Sequence, residues 1–299
     1  KDYQGFWRKG KTGADFDHDD VLPNFTRRAV AHIAKQARRS TPFFLYLALP
    51  APHTPILPTK EFRGKSKTNP YGDFVLQVDD TVGRVAAALE KAGVADNTLL
   101  IVTADNGCSP RARFEELKEF GHDPSYVFRG HKADIYEGGH RVPFVARWPI
   151  VVEAGSRSKS TTCLTDLMRT CADIVGQPLP DSAGEDSVSF LPALRGQQGQ
   201  LREATVHHSI NGSFAIRSGK WKLCLCPGSG GWSSPKPAAA FKSGGPLVQL
   251  FDLDQDLGET NNLADKKPEV VTRMSDLLAR YVARGRSTPG VAQKNQGKT

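Results

Sequence analysis

The stretch LLIVTADNG, residues 99–107, decides how this chain is read. Leu99 to Val102 is a continuous apolar run with β-branched members, the pattern of a buried strand. It breaks off into Asp105 and Asn106, two hard oxygen donors, and then Gly107. In an open α/β sheet, ligands collect beyond the carboxyl ends of strands, so these side chains stand where chemistry is placed. A carboxylate plus an amide carbonyl suits a hard cation such as calcium or magnesium, whose shell takes about six to eight oxygens. Asp-Asn-Gly is also ordinary turn chemistry, so the neighbouring segments must separate the two readings.

Working upstream, Phe74, Val75, Val78, Val82, Val85 and Leu89 fall at helical spacing and predict a helix over 71–92, closed by Gly93. Phe25, Ala29, Val30, Ile33, Ala34 and Ala37 predict another over 24–39. Between them, the wholly apolar run 43–49 reads as a buried strand, and Ala51-Pro52-His53-Thr54-Pro55 follows as a loop stiffened by proline. Residues 1–23 show no period and read as an arm. Downstream, an irregular stretch leads to Arg129-Gly130-His131-Lys132, a turn at Glu137-Gly138-Gly139-His140-Arg141, a strand at 142–148 and a helix over 160–175. Alternating strands and helices imply an α/β fold with a mostly parallel sheet between helices.

Past residue 202 the pattern changes. Short strands are expected at 204–210, 214–217, 221–226 and 247–253, with Gly/Ser/Pro-rich 228–245 as an exposed loop and a helix over 268–284. That is a small antiparallel α+β subdomain. The expected organisation is an α/β domain over 1–202, this subdomain over 203–285 and a tail over 286–299.

Composition narrows the function classes. The 299 residues carry a net charge of +8, which favours anionic partners without naming one. No zinc finger, basic zipper or RNA-binding signature is present, so nucleic acid is not expected. Cys108, Cys163, Cys171, Cys224 and Cys226 have neither zinc spacing nor a disulfide framework, and their odd number leaves one unbridged. No stretch is long and apolar enough to span a membrane, and no signal peptide begins the chain. Its first residue is Lys1 rather than Met, so the natural start need not be here.

Four further positions can carry chemistry. His53, held at the end of a core strand, can donate to an anionic oxygen or act as acid or base. Lys132, behind Gly130, can clamp a phosphate or sulfate, although a lone lysine is more often a solvated charge. The Gly138-Gly139 turn directs His140 and Arg141 toward a cleft, or else joins elements whose charged neighbours, Glu137 and Arg141, pair with each other.

Taken together, the motifs resemble one family: the formylglycine-dependent sulfatases of the alkaline phosphatase superfamily. The segments that carry the resemblance are LALPAPHTP (47–55), VDDTVGRVAAALEKAG (78–93), LLIVTADNG (99–107), RGHKADIYEGGHRVPFVARWP (129–149) and LFDLDQDLGETNNLAD (250–265). The resemblance implies an alkaline-phosphatase-like fold and a sulfuric ester hydrolase, secreted or periplasmic, acting on a sulfated saccharide or aryl ester. It implies that Asp105 and Asn106 are calcium ligands, that His53 and Lys132 hold the sulfate oxygens, and that His140 and Arg141 line the substrate pocket. Asp252, Asp256, Glu259 and Asn262 then belong to a structural signature. The family's Cys-x-Pro-x-Arg segment, source of the formylglycine nucleophile, has no match here, since Cys108-Ser109-Pro110-Arg111 places proline and arginine too early. The N-terminal aspartate pair is also missing, and Asp19-Asp20 follows no apolar strand. The expectation is therefore a C-terminal part of a sulfatase, inactive alone. A phosphodiesterase or phosphonate hydrolase of the same superfamily, and a non-catalytic anion-binding module, are the alternatives.

Overall fold

Val21–Gln36 forms helix α1, three residues earlier than its apolar period suggests, because a short 3-10 turn at His18–Asp20 leads into it. The Asp17 carboxylate caps that turn, and Asp20 pairs with Arg27 at 2.8 Å, so the acidic pair serves the helix start. Asn69 caps α2 (Pro70–Lys91), accepting from the backbone N–H groups of Tyr71 and Gly72. The elements then run β1 (Leu100–Thr103), α3 (Phe114–Glu119), α4 (Glu137–His140), β2 (Phe144–Arg147), α5 (Asp166–Ile174) and α6 (Leu191–Leu194). They end with β3 (Thr205–His208), β4 (Phe214–Ser218), β5 (Trp221–Cys224), α7 (Pro237–Lys242), β6 (Gln249–Asp252) and α8 (Pro268–Arg284). The computed structural model describes residues 9–294; the start of the expected arm and the end of the expected tail lie outside them.

The chain divides into two compact units. The first holds residues up to Val102, together with Ser109–Pro124 and Phe144–Ile150. Here Ala29 and Ile33 of α1 meet Val85 and Leu89 of α2, and Phe43, Leu45, Leu47 and Leu100 pack against them. A buried hydrogen bond joins Thr26 Oγ1 and Thr81 Oγ1 at 2.9 Å. The run 43–49 is extended but joins no ladder among the described residues. Its odd-numbered side chains pack inward while Phe44 and Tyr46 remain 76 % exposed. It is thus covered on one face rather than two.

The second unit holds Thr103–Cys108, Ser125–Pro143 and Val151–Thr299. Its antiparallel sheet has the order β3-β4-β5-β6. Ile216 pairs with Leu223 and Leu223 with Leu250, so these three share one face, which packs on Val270, Met274, Leu277 and Leu278 of α8. The other face carries Ala215, Cys224 and Phe251, and against it lie Ile135 and Tyr136. Two expectations fail here. The helix over 160–175 begins only at Asp166, whose carboxylate accepts from the Cys163 and Val188 N–H groups and so fixes the start. The stretch 228–245 is not simply an exposed loop: Gly228 to Gly231 are buried, and 237–242 turns into α7. None of the five cysteines forms a disulfide.

Candidate functional site

Thr103 ends β1, and backbone hydrogen bonds hold the chain beyond it. Gly107 N–H donates to Gly139 O at 3.0 Å, Lys132 N–H to Cys108 O at 2.9 Å, and Gly138 N–H to Arg129 O at 2.8 Å. A Cβ on Gly107 would lie 1.7 Å from Gly138 O, one on Gly138 2.2 Å from Gly130 O, and one on Gly139 2.4 Å from Asp134 O. Only glycine permits this approach. The interlock gathers Asp105, Asn106, Lys132, His140 and Arg141 within the second unit. His53 belongs to the first unit, exposed, with its Nδ1 2.9 Å from Thr54 O. The expected Gly138-Gly139 turn is the single-turn helix α4. Gly130, at φ +77°, lies so close to Asp134 that a Cβ there would meet its carboxylate at 2.8 Å.

Around this frame some polar groups are left available. Asp105 is exposed, and no hydrogen bond or ion pair to its carboxylate, or to the Lys132 ammonium, is found among the described residues. Asn106 Nδ2 donates to Gly107 O at 3.0 Å, which leaves its carbonyl oxygen open to a further partner. Two oxygens of this kind fit a hard cation in donor type and fill part of its shell. No cluster of three or more His, Cys, Asp or Glu able to hold a metal occurs among the described residues.

Two carboxylates that sequence reasoning did not single out as site residues support the frame. Asp134 is fully buried and accepts from His131 N–H at 3.0 Å, Trp232 N–H at 2.8 Å, Ser233 N–H at 3.0 Å and the Ser233 hydroxyl. It thereby ties the Lys132 turn to the glycine-rich stretch. Glu137 opens α4 inside a buried charge network. Lys222, on the Ile135 side of the sheet, lies 3.1 Å from Glu137 and 2.9 Å from Glu259, and Arg217 lies 3.2 Å from Glu137. Glu137 N–H also donates to Glu259 Oε2 at 2.6 Å. Burial works against charge on Glu137, yet Lys222 and then Arg217 hold its carboxyl below the ordinary value. Burial dominates at Glu259 and raises its carboxyl despite Lys222.

Arg141 lies 3.4 Å from Glu137, with its guanidinium 4.7 Å from the centre of the Phe128 ring. The centre of the His140 ring lies 4.2 Å from that of His207 with the rings tilted by 48°, and the Nε2 atoms of both are buried without a hydrogen-bond partner among the described residues. Burial, then the Lys222 charge, push the His140 imidazole down to about 4, and His207 is lowered as well. Both rings are therefore neutral at physiological pH. Elsewhere, Asn262 Oδ1 accepts from Leu250 N–H at 2.9 Å, and Asp256 accepts from Thr260 and Asn261 N–H groups at 2.8 Å. Those residues shape the turn after β6.

A family profile described as Sulfatase matches residues 1–177. An N-acetylgalactosamine-6-O-sulfatase of Bacteroides thetaiotaomicron is 34% identical over 282 residues, covering 91% of this chain and 53% of that protein. The N-acetylgalactosamine-6-sulfatase of Mus musculus is 31% identical over 297 residues, covering 93% of this chain and 55% of that protein. A solved structure described with the metabolism of multiple glycosaminoglycans by Bacteroides thetaiotaomicron superposes with a TM-score of 0.79 at 33% identity, covering 89% of this chain and 55% of that one. The chain thus spans about half the length of the relatives it matches. Their likeness carries the alkaline-phosphatase-like fold over both the helix-rich part and the four-stranded sheet. The profile match over residues 1–177 and the 34% identity over 91% of the chain lead to one conclusion: the chain belongs to the sulfatase family.

Proposed function

We propose that this chain serves the hydrolysis of sulfate esters on a saccharide. The observation that carries this reading is the glycine interlock, which sets an uncommitted Lys132 ammonium on the same frame as the Asp105 carboxylate and the Asn106 carbonyl. The relatives named for removing 6-sulfate from N-acetylgalactosamine support the substrate class. Asp105 and Asn106 would hold calcium, which when bound polarises the sulfate and offsets charge developing on it. Lys132 binds a sulfate oxygen and stabilises charge on the leaving oxygen. His140, kept neutral, and Arg141 line the saccharide side. No cysteine stands in the Cys-x-Pro-x-Arg pattern, so the residues present do not fit formylglycine. This chain's own contribution is binding and charge stabilisation. A secreted or periplasmic setting suits such a substrate, and no described helix is long and apolar enough to cross a membrane.

Calorimetry of the full chain with 6-sulfated N-acetylgalactosamine and its desulfated parent, with and without calcium, tests the reading. The sulfated sugar should bind more tightly, more so with calcium. Lys132→Ala should weaken it by about tenfold, the value of one charge-assisted hydrogen bond. Equal affinity for the two sugars, or an unchanged Lys132→Ala variant, would overturn it.

A further inference from the structure

Trp232 is 45 % exposed although the chain immediately before it is buried. Isolated exposed apolar residues are common on protein surfaces and by themselves need no explanation. This one differs in how firmly it is presented. Its backbone N–H donates to the buried Asp134 carboxylate at 2.8 Å, and the same carboxylate accepts from the backbone N–H of His131, one residue before Lys132. The loop is braced at several other points: Ile135 N–H donates to Ser229 O at 2.8 Å, Gly231 N–H to Ser229 Oγ at 3.1 Å, and Ser229 Oγ to Ser233 O at 2.8 Å. Gly231 is pressed so closely on Ala133 O that a Cβ would lie 2.3 Å from it. On the other side of Ala133, Ile210 N–H donates to the same carbonyl at 3.0 Å, and the Ile210 side chain is 60 % exposed.

We propose that Trp232, with Ile210, forms a saccharide subsite beside Lys132, in which the apolar C–H face of a pyranose stacks on the indole. An exposed indole carried on a braced backbone offers a large flat contact with few rotatable bonds, which suits the one apolar face of an otherwise polar sugar. The neighbouring ammonium suits an anionic substituent on that sugar or the next. This subsite rests on the sulfated-saccharide reading above and extends it past the sulfate to the sugar chain. The glycines of 228–231 then serve to bring the loop close enough to Asp134 for the Trp232 backbone to be fixed there.

The test titrates the full chain with inorganic sulfate, a 6-sulfated N-acetylgalactosamine disaccharide and its desulfated parent, by calorimetry and by tryptophan fluorescence. Trp232→Ala should weaken both disaccharides about tenfold and leave inorganic sulfate and the melting temperature unchanged. Trp232→Phe should recover part of the loss. Gly231→Ala, which displaces the loop but keeps the ring, should also weaken the disaccharides. Disaccharide affinity that is the same in Trp232→Ala as in the parent, or disaccharide binding absent from the parent, would overturn the subsite. The two readings fail separately. Sulfate binding that needs Lys132 beside disaccharide binding indifferent to Trp232 removes the subsite and keeps the sulfate site. Trp232-dependent binding of both disaccharides with no preference for sulfate supports the subsite and removes the sulfate site.

Discussion

In the sheet β3–β6, Ala215, Ile216, Leu223 and Cys224 are fully buried, because α8 covers one face and the Ile135–Tyr136 segment the other. In the first unit, the extended run 43–49 shows the opposite arrangement: its odd-numbered side chains pack on α1 and α2, while Phe44 and Tyr46 are 76 % exposed. The residues with the most chemical potential, apart from His53, sit in the unit that is closed on both sides. A site whose lysine and carboxylate must stay in register is built where backbone and buried charge hold the frame.

The strongest way to break this contrast is Lys222→Met. It would leave Glu259 buried without its cation and Glu137 with only Arg217 and Arg141, and removing one partner of such a network costs about 3–5 kcal/mol. Urea denaturation followed by tryptophan fluorescence, to which Trp221 and Trp232 of the second unit contribute, should show that loss. A loss below about 1 kcal/mol would mean that the network does not hold α4.

Next in size is a pH effect. His140 is lowered to about 4 in the folded chain by burial and by Lys222; His207, Glu137 and His208 are its other charged or titratable neighbours. Above about pH 6.5 the imidazole is neutral both folded and unfolded, and no penalty arises. As pH falls toward 4 the unfolded chain takes up a proton that the folded chain refuses, so stability present above 6.5 is lost, by roughly 3 kcal/mol. Urea midpoints between pH 8 and 4 should fall accordingly, and less in His140→Phe. A parent and variant with parallel pH profiles would contradict this.

The smallest effect on stability belongs to the open face. Phe44→Ser with Tyr46→Ser removes exposed apolar area and should change stability by no more than about 0.5 kcal/mol. It should nonetheless reduce the concentration-dependent association that such a patch promotes. Sedimentation velocity of the parent and double variant measures this, and a parent that stays monomeric at high concentration would show that the face is harmless.

Long amphipathic elements were legible from their period. The helix over 268–284 matches α8 at both ends, with Gly285 in the left-handed conformation closing it. The run 43–49 was legible as extended but not as half-covered, since a segment apolar at every position carries no alternation to show which face is inside. The glycine-rich stretch misled for a related reason: low side-chain content reads as exposure, whereas here it allows the chain to be buried against Asp134. Lys222 was read as an ordinary strand residue, because nothing in Lys-Trp-Lys announces that two glutamates, one of them 85 positions upstream, will meet it.

By itself, the sequence determined the order of the elements, the family, and the donor types at Asp105, Asn106 and Lys132, because residue chemistry and spacing are local properties. Only the tertiary structure decided that the glycines of DNG, RGHK and EGGH interlock, that Asp134 binds two distant loops, and that Trp232 is held out on one of them. Those are contacts between backbone atoms and buried charges far apart in the chain, and their cost or benefit exists only once water has been excluded around them.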